Sequence, residues 1–174
     1  ELDEIPSPYT TGLLDKFFDG KLTPMMQTNR GCPFHCTFCA DGKDEVNKVN
    51  SFGLERVIDE LNYIANHKHD KTHNMIFSDL NFGMYPRDRD ISKHLAKLQT
   101  EYNYPDFIYI STGKNQKEKI IEAIKTLKDS MPLWMSVQSL DQTVLKNIRR
   151  DNISTDQMLA LQPAIKDAGL QTRA

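Results

Sequence analysis

The chain has 174 residues, 39% of them hydrophobic and 26% charged, and a formal net charge of -2 at pH 7. That is the make-up of an ordinary globular domain, or part of a larger one, long enough to bury a core. No basic footprint for a polyanion is present, so composition does not imply nucleic acid. No apolar run approaches the roughly 20 residues that cross a bilayer, so no membrane is implied either.

The opening "ELDEIPSPYT" is acidic and carries two prolines, unlike a signal peptide, and without an initiator methionine it reads as cut from something longer. "TGLLDKFFDG" predicts a short helical run with Gly20 as its stop. "TPMMQTNR" predicts a short strand feeding directly into the cysteine-bearing stretch "GCPFHCTFC". Ser51 is placed to cap a helix in which Leu54, Val57, Ile58, Leu61 and Ile64 share a face. "NMIFSDLNFG" then reads as a buried strand and its exit loop.

The alternation continues. Ile91, Leu95, Leu98 and Tyr102 mark a second helix, "DFIYIST" a third strand, Ile120, Ile121, Ile124 and Leu127 a third helix, and "LWMSVQS" a fourth strand in which Trp134 is expected in the core. Val144, Leu145 and Ile148 open a fourth helical region, whose second half begins with a Ser154/Gln157 capping box, contains Pro163 and stops near Gly169. "LQTRA" reads as a fifth strand beginning. A βα rhythm of roughly 30 residues per unit predicts an α/β fold with parallel strands. About four such units make a partial (β/α) barrel, where a complete eight-unit one takes about 250 residues. Residues 1–22 read as an N-terminal linker with a short helix, and 23–174 as the partial core.

All three cysteines, Cys32, Cys36 and Cys39, lie in that one loop at C-x3-C-x2-C spacing. Leaving no partners elsewhere, they argue against a disulfide framework and for a reducing, cytoplasmic setting. Clustered thiolates select zinc, copper or iron–sulfur chemistry. A structural zinc module wants four ligands, usually as two pairs from separate segments, and a fourth thiol is missing here. Three thiolates instead suit three irons of a cubane, leaving a fourth iron open.

"GCPFHCTFC", with Phe38 before the last cysteine and a strand ahead of it, resembles the signature of the radical S-adenosylmethionine (radical SAM) superfamily. The resemblance spans essentially the whole chain and implies a truncated form of that family's (β/α)6 core. It implies a 4Fe–4S cluster on Cys32, Cys36 and Cys39, with SAM chelated at the open iron and cleaved by an electron to a 5′-deoxyadenosyl radical that takes hydrogen from a substrate. A reducing partner such as flavodoxin or ferredoxin is implied with it. Phe38, Ser78, Asp79, Ser136, Gln138 and Arg150 are the positions that the resemblance marks for SAM. "FSDLNFG" departs from the glycine-glycine-glutamate usual at the second strand's end, so Ser78 and Asp79 stand in for it. Arg150 offers a planar fork to a carboxylate, while Arg149 reads as solvated. "LDEIPSPYTTGLLDKFFDG" and "DLNFG" are similar to the cobalamin-associated branch, which implies cobalamin held by a domain outside this chain.

Bland readings stand beside these. His35 reads as a loop side chain facing solvent, and His67, His69 and His73 as a solvated helix end aided by the helix dipole. "STGKNQ" lacks P-loop spacing and reads as a turn. Asn81 and Tyr85 are candidates to face the site from the strand-two loop. Besides an enzyme core, a non-catalytic cluster-bearing scaffold and a zinc-binding module remain as alternatives.

Overall fold

A computed structural model describes residues 2–127 and 130–173. Glu1 and Ala174, the outer ends of the predicted lead-in and fifth strand, lie outside the described residues. The elements run β1 (Met25–Met26), β2 (Asn29–Arg30), β3 (Asn50–Ser51), α1 (Leu54–His67), β4 (Asn74–Phe77), α2 (Pro86–Tyr102), β5 (Phe107–Tyr109), α3 (Lys117–Ile124), β6 (Leu133–Trp134), α4 (Gln142–Asn147), α5 (Thr155–Asp167) and β7 (Thr172–Arg173). β1, β4 and β5 form a parallel sheet in the order β1-β4-β5, and β6 pairs in parallel with β7. The fold is an α/β open partial barrel, as the βα rhythm predicts.

The apolar spacings dictate which faces are buried. Val57, Leu61 and Ile64 of α1, Ile91, Leu95 and Leu98 of α2, and Ile120, Ile121 and Ile124 of α3 all lie in one core with Met75, Phe77 and Ile108 of the strands. Burying one such side chain contributes about 1.5–3 kcal/mol, so these faces hold the helices where intrinsic propensity alone would not. α5 begins at the predicted Ser154/Gln157 capping box and continues through Pro163.

Two hydroxyls take the place that strand partners usually fill. The Tyr9 hydroxyl donates to the Met25 carbonyl (2.6 Å) and accepts from the Met25 N–H (3.0 Å), which satisfies β1 on the side away from β4. Across the seam between β5 and β6, the Thr112 hydroxyl donates to the Trp134 carbonyl (2.8 Å) and accepts from its N–H (3.1 Å). Tyr9 is buried, and the Arg56 guanidinium reaches the Ile5 carbonyl and stacks over Phe52 (4.5 Å), so the lead-in is packed on the core.

Three local expectations are corrected. "TGLLDKFFDG" forms turns with a single 3-10 turn at Asp15–Phe17, because Leu13 and Phe17 find nothing to bury them and stay exposed. Ser51 does not cap α1. It sits in β3, paired antiparallel with Asn29 of β2, and the Asp3 carboxylate instead takes the Gly53 N–H (2.9 Å) from across the fold. Trp134 is half-buried at the β5/β6 seam and not in the core.

Candidate functional site

The chemistry gathers where the parallel strands end at their C-terminal side, the face on which barrel folds carry their sites. β2 and β3 pair antiparallel and pinch off the cysteine loop, residues 31–49, directly after β1. The loop is tight. A Cβ on Gly31 would lie 2.1 Å from the Lys48 carbonyl oxygen, and one on Gly42 would lie 2.3 Å from that of Cys36. Those approaches need glycine at both positions.

Cys32 and Cys36 are buried, Cys39 is partly exposed, and all are free thiols. Each is engaged singly. Asn81 Nδ2 donates to Cys32 Sγ (3.3 Å), Lys114 Nζ donates to Cys36 Sγ (3.3 Å), and Cys39 Sγ faces the Asp41 carboxylate (3.9 Å). Among the described residues no three Cys, His, Asp or Glu side chains converge on one point. The donor set nevertheless fits an iron–sulfur cubane in kind, since three soft thiols share one short loop.

Neighbouring loops lock onto this one. The Thr37 N–H donates to the Ile148 carbonyl (3.0 Å) at the end of α4, and Asn115 Nδ2 donates to Asp151 (2.6 Å). The loops after β1, β5 and α4 thus meet, and Arg150 lies within that junction. Arg150 is buried and donates to the Ser136 carbonyl (2.6 Å) and to Asn152 Oδ1 (2.7 Å). Lys117, fully buried in the first turn of α3, donates to the carbonyls of Gly113 (2.6 Å) and Trp134 (2.7 Å). Burial and the Arg150 charge push its pKa down to about 8.

Under the loop base, Asp79 accepts from the N–H groups of Thr28 (2.7 Å) and Asn29 (3.3 Å), and from the Thr28 hydroxyl. Burial pushes its pKa up, against those hydrogen bonds. Asp88, with no exposed surface, accepts from the N–H groups of Gly83 (2.7 Å) and Tyr85 (3.1 Å) through one oxygen, while the other has no partner. Burial pushes it up to about 6.

Of the positions marked from sequence, Ser136 and Arg150 are joined directly. Asp79 is turned inward to hold Thr28 and Asn29. Ser78, Ser136 and Gln138 are exposed at the strand ends, and Phe38 is 55% exposed on the outside of the loop. His35 is exposed beside Asp44, and His67, His69 and His73 are exposed, matching the bland readings. Sequence reasoning missed Lys114 and Lys117. "STGKNQ" follows a strand and carries a lysine, but nothing in its pattern tells which cysteine that lysine reaches. A hollow lies at the seam, lined by Phe77, Tyr109, Ser111, Thr112, Trp134 and Ser136. Another, more apolar, lies between the lead-in and β1 around Leu14, Phe17 and Leu22, with none of the cysteines in its lining.

The family model described as the Radical SAM superfamily matches residues 26–173. The chain belongs to the radical SAM superfamily. Among its relatives is the 2-(S-pantetheinyl)-carbapenam-3-carboxylate methyltransferase of Streptantibioticus cattleyicolor, 32% identical over 97% of this chain and 26% of that protein. The cobalamin-dependent radical SAM methyltransferase TokK of Streptomyces tokunonensis is 32% identical over 92% of this chain and 24% of its own. The chain thus spans about a quarter of the length of the curated relatives it matches. The solved structure of the radical SAM methyltransferase TsrM from Kitasatospora setae, with cobalamin and a 4Fe–4S cluster, is similar with a TM-score of 0.65 at 10% identity, over 86% of this chain and 28% of that one. The cobalamin-dependent radical enzyme OxsB is similar with a TM-score of 0.61 at 22% identity, over 97% of this chain and 25% of that one. These likenesses agree with the fold. The superfamily is one of enzymes, and the half-barrel is not the zinc-ribbon setting that the zinc-module alternative calls for. No helix among the described residues is long and apolar enough to cross a membrane.

Proposed function

We propose that this chain is the radical SAM core of a cobalamin-dependent methyltransferase, with Cys32, Cys36 and Cys39 as ligands of a 4Fe–4S cluster. The observation that carries the reading is the pinched three-thiol loop at the C-terminal end of β1, in a chain of this superfamily. The methyltransferase names of two relatives at 32% identity support the reaction class. A cluster of this kind, together with SAM, supplies one-electron cleavage of the sulfonium and so a 5′-deoxyadenosyl radical.

The protein's own residues bind, orient and exclude water. Of the two strand-two candidates, Ser78 is open to a ligand, and Asp79 acts from below by fixing Thr28 and Asn29 at the base of the loop. Arg150 uses one N–H each on Ser136 and Asn152, so its five-donor fork retains others for the SAM carboxylate. Ser136 and Gln138 flank that position, with the seam hollow beneath for the nucleoside, and Phe38 shields the loop. Residues 1–22 lead in from a cobalamin-binding domain, and 23–174 form the partial core. Three free thiols suit a reducing cytoplasm, where a flavodoxin- or ferredoxin-like donor supplies the electron. The substrate is small or otherwise of a class that the seam hollow admits.

EPR of the anaerobically reconstituted and reduced protein tests the reading. A reduced-cluster signal that changes on adding SAM, and is weakened in its SAM response by Arg150→Gln, is the expected result. Tight zinc uptake with no cluster formed overturns it. A cluster wholly indifferent to SAM supports the scaffold alternative instead.

A further inference from the structure

We infer that Lys114 donates to the Cys36 ligand sulfur of the cluster and, together with Asn81 on Cys32, raises the reduction potential of the site. This rests on the reading that the three thiols hold a 4Fe–4S cluster. Lys114 stands in the loop between β5 and α3, 78 residues from Cys36, so only the tertiary fold brings them together. Its ammonium lies 3.3 Å from Cys36 Sγ and 4.5 Å above the Phe34 ring, with water kept off by that ring on one side. Among the described residues no carboxylate forms an ion pair with Lys114. The cation therefore faces sulfur and an aromatic ring.

Cys36 is 1% exposed, and in such surroundings a charge acts more strongly than in water. Reduction adds one negative charge to the cluster. A cation and an N–H donor at its sulfur ligands stabilise the reduced form over the oxidised, and hydrogen bonds to sulfur together with net charge are the levers that set such potentials. Asn81 adds a neutral donor on Cys32, and its amide oxygen is buried with no partner, which leaves the sulfur contact as the bond the amide makes. Cys39 faces the opposite kind of neighbour, the Asp41 carboxylate. Lys114 is thus a positioning and tuning residue for the cluster.

The test is an anaerobic redox titration of the reconstituted protein with titanium(III) citrate, following the reduced-cluster EPR signal for the parent, K114M and K114R. K114M is expected to shift the one-electron equilibrium at least tenfold against reduction, about 59 mV more negative, with K114R recovering most of that shift. Iron content and thermal unfolding stay as in the parent. A K114M protein with a full cluster and an unmoved midpoint overturns the inference. So does K114R behaving like K114M, and so does K114M failing to take up iron where K114R succeeds, which would make the residue a folding element of the loop. A parent that forms no cluster overturns the proposed function itself, a different result from any of these.

Discussion

Asp88 shows how single residues here are held at odds with their ordinary chemistry. Its carboxyl is buried in the first turn of α2, ties down the Gly83 and Tyr85 N–H groups, and has a pKa pushed up to about 6. With the folded pKa above the unfolded one, the folded state binds more protons between pH ~4 and ~6. The contribution of Asp88 to stability is therefore greatest below that window and is lost as pH rises through it. A carboxyl raised this far loses on the order of 2–3 kcal/mol across the window. Urea unfolding of the parent and of Asp88→Asn across pH 4 to 7 checks this, with the variant expected to show a shallower fall than the parent. An equal slope in both contradicts it. Gly42 makes a second residue-scale prediction. Since a Cβ there would strike the Cys36 carbonyl oxygen, Gly42→Ala is expected to lower iron uptake severalfold on reconstitution while far-UV circular dichroism changes little.

At the scale of elements, the βα rhythm was legible because the apolar spacings of α1, α2 and α3 answer directly to burial in one core. The pieces that were not legible have in common that their partners lie far away in sequence. Asp3 caps α1 from 50 residues off, β2 and β3 are two-residue strands too short for any period to show, and "TGLLDKFFDG" has helical spacing without a surface to bury it. The Thr112 hydroxyl that bridges β5 to β6 belongs to the same class. Thr112→Val keeps the shape and removes the hydroxyl, leaving the Trp134 N–H without its acceptor. Such a loss costs about 1–3 kcal/mol. A drop of that order in unfolding free energy is expected, and an unchanged midpoint contradicts the bridge. In the site the same division holds. That the three cysteines share one short loop was readable from spacing, whereas the Asn81 and Lys114 contacts to them depend on where the loops after β4 and β5 come to rest.

At the scale of the molecule, the two parallel sheets, β1-β4-β5 and β6-β7, share one hydrophobic core running from Tyr9 to Leu170. Trp134, the one tryptophan, sits at their seam and reports on the β6–β7 side. Because the core is continuous, its fluorescence and the far-UV circular dichroism should lose their native values at the same urea concentration. Two separated transitions would show the sheets to be independent units. The central claim remains the site itself: under the proposed function, Cys32, Cys36 and Cys39 bind three irons of a cluster and leave a fourth open for SAM. Electron–nuclear double resonance on the reduced, reconstituted protein, with SAM carrying a heavy-nitrogen label in its amino group, tests it most directly. A hyperfine coupling from that nitrogen to the cluster is the predicted result, and a full cluster with SAM bound but no such coupling would contradict it.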